Sequence, residues 1–261
     1  MPQVPSMFAA TVPRDLNPGG AIMPLFQRYE SASLSRYSFA AGRLSQGTCV
    51  DFGCGYGFGT YVLAKIHRKT TLGLDIDPRC IKYAKSHYKA PNLEFRLLDI
   101  VHIPVETGSV GTFVAFEVLE HLSKSQAAEF FREGRRVLRP DGVIVGSTPN
   151  AGVPHDESAF HLQEYAPGDL NTLVSENGFE LELLGQGRYA EDRHNIARKL
   201  MQRLPRGARR SLAARIAESV FFSARSKWIR SNDPDIQIDR FEPDSSLDMV
   251  FVLRRATLNR P

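Results

Sequence analysis

The amino-acid sequence predicts an α/β fold, a mostly parallel sheet with helices on both faces, and three observations carry that expectation. Strand-like and helix-like segments alternate from Thr48 to Ser147. Four glycines, Gly53, Gly55, Gly57 and Gly59, lie between the first of these strands and the helix after it. Acidic residues stand at or near the ends of successive strands, at Asp51, Asp75 and Asp99. Such alternation builds βαβ units, whose crossover helices cover both faces of a parallel sheet.

The elements follow in order. Residues 1–20 are rich in proline and glycine without periodicity and read as a loosely packed leader; a helical pattern then runs from Phe26 to Arg43. Strands are expected at Thr48 to Phe52, Thr71 to Asp75, Leu93 to Leu98, Val110 to Phe116 and Val143 to Ser147. Helices are expected at Thr60 to Ile66, Pro78 to His87 and Lys124 to Val137. Asp77 is placed to cap the helix that Pro78 opens, and Pro140-Asp141-Gly142 reads as a turn feeding the next strand. A helix from Pro167 to Asn177, stopped by Gly178, leads into the alternating strand Phe179 to Leu184, whose natural partner is Leu247 to Leu253. The connection between those last two strands far exceeds the ~2–6 residues usual in such units, so residues 187–245 are expected to form a structured insertion or lid. The organisation is thus a leader and helix over 1–44, then one domain over 45–261.

Composition narrows the class of protein. With 261 residues, 42% of them hydrophobic and 24% charged, the chain resembles an ordinary globular protein with one substantial core. No apolar run reaches the roughly 18 residues of a membrane span, and the start lacks the regions of a signal peptide, which predicts a cytoplasmic protein. Cys49, Cys54 and Cys80 have no metal-ligand spacing, and an odd number argues against a disulfide framework.

The net charge of +4 is unevenly spread: residues 192–230 hold 11 Lys or Arg against Asp192 and Glu218 alone. Within this stretch Pro205-Arg206-Gly207 divides Ile196 to Ile216 into two short amphipathic helices. They read either as a solvated pair capping an acceptor pocket or as a peripheral contact with anionic lipid at the inner membrane face, anchored by Phe221, Phe222 and Trp228. Nucleic acid is disfavoured, since no aromatic-interleaved recognition motif accompanies the arginines.

The glycine loop is where backbone must turn sharply and approach a ligand. The dinucleotide fingerprint G-x-G-x-x-G fails in both registers, at Phe58 and at Thr60, which disfavours nicotinamide and flavin cofactors. Asp51 just before the loop would repel a pyrophosphate but suits a ligand bearing an ammonium and a sulfonium. Asp75, followed by Ile76, can accept from ribose hydroxyls, and Asp99 with the N–H of Ile100 can meet an adenine edge.

Val50 to Gly59, Leu72-Gly73-Leu74-Asp75, Leu98-Asp99 and Arg136 to Gly142 together resemble the successive motifs of class I S-adenosylmethionine-dependent methyltransferases. The resemblance covers roughly residues 35–186 plus the final strand, and departs at Asp141, where glycine is more usual. It implies a Rossmann-like, seven-stranded sheet with an antiparallel last strand. It also implies that Asp51, Gly53, Cys54 and Gly55 lie near the methionine moiety, Asp75 and Ile76 at the ribose, and Asp99 with Ile100 at the adenine. Arg36-Tyr37 stands where some relatives hold the cofactor carboxylate.

The acceptor end follows the fourth strand, at Phe116-Glu117-Val118-Leu119-Glu120-His121-Leu122. If this backbone turns helical, Glu117, Glu120 and His121 share a face. They could then hold a divalent ion such as Mg2+, or a histidine as general base; alternatively, Glu117 lines the cofactor pocket and His121 packs beneath it. The E-x-x-E-H pattern resembles ubiquinone-biosynthesis hydroxyl methyltransferases and small-RNA 3′-end ribose methyltransferases, and in the latter a later histidine completes a metal site. His161 of His161-Leu162-Gln163-Glu164-Tyr165 is the candidate for it. The same H-x-x-E-Y element after Ser147-Thr148-Pro149-Asn150 resembles bacterial methyltransferases of cell-surface glycan pathways, and that similarity extends furthest along the chain. The expectation is therefore methylation of a hydroxyl on a sugar, glycan, glycolipid or glycosylated metabolite, with His121 or His161 removing the proton. A quinone or phenol O-methyltransferase, an RNA ribose 2′-O-methyltransferase and a cofactor-binding regulatory subunit without turnover are the alternatives. His155, on a loop of small and charged residues, is expected to be solvated.

Overall fold

The computed structural model describes residues 23–98, 102–153, 161–188, 238–243 and 246–256, with residues 23–31 and Arg188 described by their backbone alone. Asp99 and Ile100, His155, and the basic stretch 192–230 with its aromatic anchors lie outside the described residues.

Eight strands form one sheet: β1 Thr48–Phe52, β2 Thr71–Asp75, β3 Leu93–Leu97, β4 Val110–Phe116, β5 Leu138–Pro149, β6 Phe179–Arg188, β7 Ile238–Arg240 and β8 Ser246–Arg255. Their order is β3-β2-β1-β4-β5-β8-β6-β7. The first five pair in parallel, and β8 inserts antiparallel between β5 and β6. The helices are α1 Met23–Ala41, α2 Phe58–Ile66, α3 Pro78–His87, α4 Lys124–Val137 and α5 Pro167–Glu176. The fold is thus the expected mixed α/β sheet with helices on both faces. β7, which pairs antiparallel with β6, is a short addition inside the segment expected to be an insertion.

The period-2 alternation of the strands sorts the core into faces. Val50 and Phe52 of β1 join Phe113, Ala115 and Ile144 under α4 and α5, together with Phe130, Phe131, Leu170 and Val174. Cys49, Val114 and Val145 point the other way and pack with Tyr37 and Ala40 of α1 and Leu63 of α2. The helix assigned from sequence to the leader region is therefore a layer of the domain's own core. The helix starts are chemically specified. Asp77 caps α3 by accepting from Arg79 N at 2.8 Å, and Ser123 and Gln126 form a reciprocal capping box at α4.

One expected turn is different in form. Pro140-Asp141-Gly142 lies within β5, where the pairing steps from Val110↔Leu138 to Thr112↔Val143. The extra residues are absorbed as a bulge, because the strand can resume its ladder with β4 on either side. All three cysteines are free thiols, and no described helix is long and apolar enough to cross a membrane.

Candidate functional site

The carboxyl ends of β1, β2, β4 and β5 gather the residues singled out in the sequence, as parallel sheets do for their ligands. The glycine loop is tied to β2, since Gly53 N and Cys54 N both donate to Leu74 O, at 2.8 and 2.9 Å. Gly55, at φ 52°, donates its N–H to Asp75 Oδ2 at 2.8 Å, and a Cβ built there would meet nothing within 4 Å. A backbone face is therefore open beside a partly buried carboxylate. Asp75 Oδ1 accepts from Asp77 N at 2.9 Å, so the loop and the start of α3 are both indexed on this side chain. Next to it Ile76 is 63% exposed, an apolar platform at the rim.

Asp51 sits differently from the sequence expectation. Alternation places it on the Cys49 face, under α1 and α2. It is only 1% exposed and accepts from Thr60 Oγ1 at 2.6 Å and from Tyr37 Oη at 3.2 Å. Burial pushes its pKa up to about 7 despite those two hydrogen bonds. Its visible work is to knit α1 and α2 to β1 beneath the loop. Cys54 is buried as well, its Sγ 3.7 Å from Gly55 O.

Arg36 and Glu117, expected at different ends of the site, meet each other. The Arg36 guanidinium, 3% exposed, donates to Glu117 Oε1 at 2.5 Å and to Ser147 Oγ at 3.0 Å, with Asp248 Oδ2 at 3.9 Å. Ser147 Oγ in turn donates to Glu117 Oε1 at 2.6 Å. Glu117 adopts φ 54°, alone among the described non-glycine residues in the left-handed region. The helical turn after it is a single 3-10 turn, Leu119–His121, which begins too late to include Glu117. The shared helical face proposed for Glu117, Glu120 and His121 is therefore not formed: the left-handed kink sends the Glu117 carboxylate toward Arg36.

Glu120 and His121 do converge with His161. One ligand atom from each of the three lies within 4.8 Å of the others, and the two imidazole rings are 5.2 Å apart at 74°. Glu120 is fully buried. Thr148 Oγ1 donates to its Oε2 at 3.0 Å, while Oε1 is buried without a hydrogen-bond partner. Burial, reinforced by the Glu117 carboxylate, raises the Glu120 pKa well above the usual carboxylate range. His161 is held beside it because Leu162 N and Gln163 N both donate to Glu120 O, at 2.8 and 3.1 Å. The His161 Nδ1 lies 2.9 Å from Glu164 Oε1.

Sequence reasoning did not assign roles to Thr60, Ser147, Thr148 or Glu164. The last three lie in the segments quoted for the resemblance, and Ser147 and Thr148 close β5 as Asp75 closes β2. The strand-end criterion applied to acids would have found them had it been extended to hydroxyls.

Residues 50–146 match the methyltransferase-domain family. The chain is 33% identical over 162 residues to a probable S-adenosylmethionine-dependent methyltransferase of Mycolicibacterium smegmatis, covering 60% of each chain. It is 32% identical over 125 residues to a ubiquinone biosynthesis O-methyltransferase of Methylobacterium, covering 47% of this chain and 49% of that one. The chain thus spans about half to three-fifths of the length of these relatives. The fold matches that of a TehB-like S-adenosylmethionine-dependent methyltransferase from Corynebacterium glutamicum, with a TM-score of 0.54 at 16% identity over 92% of this chain and all of that one. A sheet of this order and a glycine loop indexed on Asp75 accompany the match of residues 50–146 to the methyltransferase-domain family, and over about three-fifths of its length the chain is similar to probable S-adenosylmethionine-dependent methyltransferases.

Proposed function

We propose that this protein is an S-adenosylmethionine-dependent O-methyltransferase that methylates a sugar hydroxyl of a glycan, glycolipid or glycosylated metabolite. The observation that carries the oxygen-directed reading is the convergence of Glu120, His121 and His161 on one point at the carboxyl end of the sheet. A hydroxyl must lose its proton as it attacks a sulfonium methyl, and a histidine within reach can take it. The sugar acceptor rests on the H-x-x-E-Y resemblance of residues 161–165. The similarity to the ubiquinone biosynthesis O-methyltransferase favours a second acceptor class, a quinone or phenol hydroxyl.

The residues present fit the cofactor. The open backbone at Gly55 admits close approach, Asp75 offers a carboxylate for ribose hydroxyls, and Ile76 offers an apolar face for the base. When bound, S-adenosylmethionine supplies the electrophilic methyl group. The protein's own part is to orient the acceptor oxygen, exclude water, and accept the hydroxyl proton at His121 or His161.

The same three side chains also fit a divalent ion, because the buried, unpartnered Oε1 of Glu120 faces the cost of desolvation without a donor. With Glu117 engaged by Arg36, the donor set is two imidazoles and one carboxylate. That suits a borderline ion such as Mn2+ better than Mg2+, which prefers oxygen. Glu120, His121 and His161 would hold it, and its chemistry there would be to polarise the acceptor hydroxyl.

Methyl transfer from labelled cofactor to a panel of sugar and phenol acceptors tests the reading. His121→Ala and His161→Ala should each lower kcat by about 100-fold or more, the usual range for a lost general base, with S-adenosylhomocysteine affinity retained. Near wild-type turnover by both variants on the best acceptor would refute it.

A further inference from the structure

Residues 161–165 are not helical, yet their backbone is pinned at both ends. Leu162 N and Gln163 N donate to Glu120 O; Ala151 N donates to Tyr165 O at 3.0 Å, and Tyr165 forms a bridge with Asn150. The position of His161 is therefore set by main-chain bonds, which leaves the rotation of its ring and the choice of protonated nitrogen to be decided. Glu164 decides both. Its Oε1 lies 2.9 Å from Nδ1, and the two side chains are only 22% and 16% exposed. An ionised carboxylate can only accept, so a neutral imidazole in this contact must carry its proton on Nδ1 and its lone pair on Nε2.

We propose that Glu164 is the positioning residue of the site: it locks His161 in the Nδ1–H tautomer, so that Nε2 is the atom that receives the acceptor's proton or binds a cation. The inference deepens the function proposed above and rests on it for the role of Nε2, but the lock itself is independent of any acceptor. It also divides labour within the cluster. Thr148 fixes one oxygen of Glu120 and leaves the other unpartnered, and Glu164 fixes Nδ1 of His161, so that Nε2 is the nitrogen not used in that contact. Glu120 and His161 thus each have one atom anchored by a residue outside the three-residue cluster, the arrangement by which outer carboxylates orient histidines in metal and acid–base sites.

Ring nitrogen NMR of the full-length protein with bound S-adenosylhomocysteine, at mildly alkaline pH, tests the lock directly, the His161 signals being assigned by their loss in His161→Gln. The wild type should show a protonated Nδ1 and an unprotonated Nε2. Glu164→Ala should move the ring toward the Nε2–H form and lower kcat about 10- to 100-fold, with the KM for S-adenosylmethionine unchanged. Glu164→Gln, whose amide oxygen still accepts, should keep the wild-type tautomer and more of the activity. A wild-type ring protonated on Nε2, or ring shifts that Glu164→Ala leaves as they were, would overturn the proposal. If instead the lock is seen but His161→Ala turns over normally, the lock stands and the reading of His161 as the reactive group falls.

Discussion

Asp51 shows how a residue beside the glycine loop can be turned away from it into the packing of two helices. Its side chain falls on the α1 and α2 face because β1 alternates, and there Thr60 and Tyr37 complete its hydrogen bonds. Burial raises its pKa to about 7, so the folded protein keeps this proton after the unfolded chain has lost it. Stability is then greatest below the ordinary Asp range near 4 and declines as pH rises toward about 7, by up to roughly 4 kcal/mol. Glu120, also raised, adds a slope of the same sign. Asp51→Asn should flatten the decline measured by urea denaturation between pH 5 and pH 8, roughly, leaving the part that belongs to Glu120. An unchanged slope in that variant would place the pH dependence elsewhere.

At the scale of elements, the contact of α1 with α2 depends on an absent side chain. A Cβ on Gly59 would lie 1.9 Å from the Tyr37 ring, so the ring covers the first turn of α2 directly. Tyr37 also stacks edge-on to Phe116 at 5.1 Å and reaches Asp51, so it cannot move aside without breaking both contacts. Gly59→Ala should therefore destabilise the protein by about 1–3 kcal/mol, the usual cost of overpacking, even though alanine is the better helix former. Calorimetry decides it, and a gain in Tm would mean that α1 can shift. The turn after β4 follows a similar logic. The left-handed Glu117 and the single 3-10 turn at Leu119–His121 replace the expected helical face, so that Glu117 satisfies a buried arginine while Glu120 points at His161.

Across the whole molecule, the open edge of the sheet between Gly55 and Ile76 is the place where ligand binding should be felt as stability. A ligand at about 100 times its Kd contributes roughly 2.7 kcal/mol, or on the order of 5–10 °C in Tm for a chain of this size. S-adenosylhomocysteine should produce such a rise in thermal unfolding and NADH should produce none, in keeping with the failed dinucleotide registers. A rise with NADH alone would reverse the cofactor assignment.

Sequence determined the order of the main elements and the bounds of several, because these are written in local periodicity, caps and turn residues: Thr48–Phe52, Thr71–Asp75, Pro78–His87, Val110–Phe116 and Lys124–Val137 are all legible. Motif spacing along a βαβ chain also fixes which residues reach the sheet edge, and the cofactor class proposed above follows from that spacing. Contacts distant in the chain were decided only by the tertiary structure. Arg36 met Glu117 across 81 positions, Asp51 went beneath the loop, and Glu120 was paired with Thr148 and the backbone of residues 162–163. Periodicity specifies which face a side chain takes, but its partner depends on how layers stack and where one left-handed residue bends the chain. That is why spacing alone makes Glu117 a neighbour of Glu120 and His121, whereas the contact of Glu164 with His161 exists only in the folded chain.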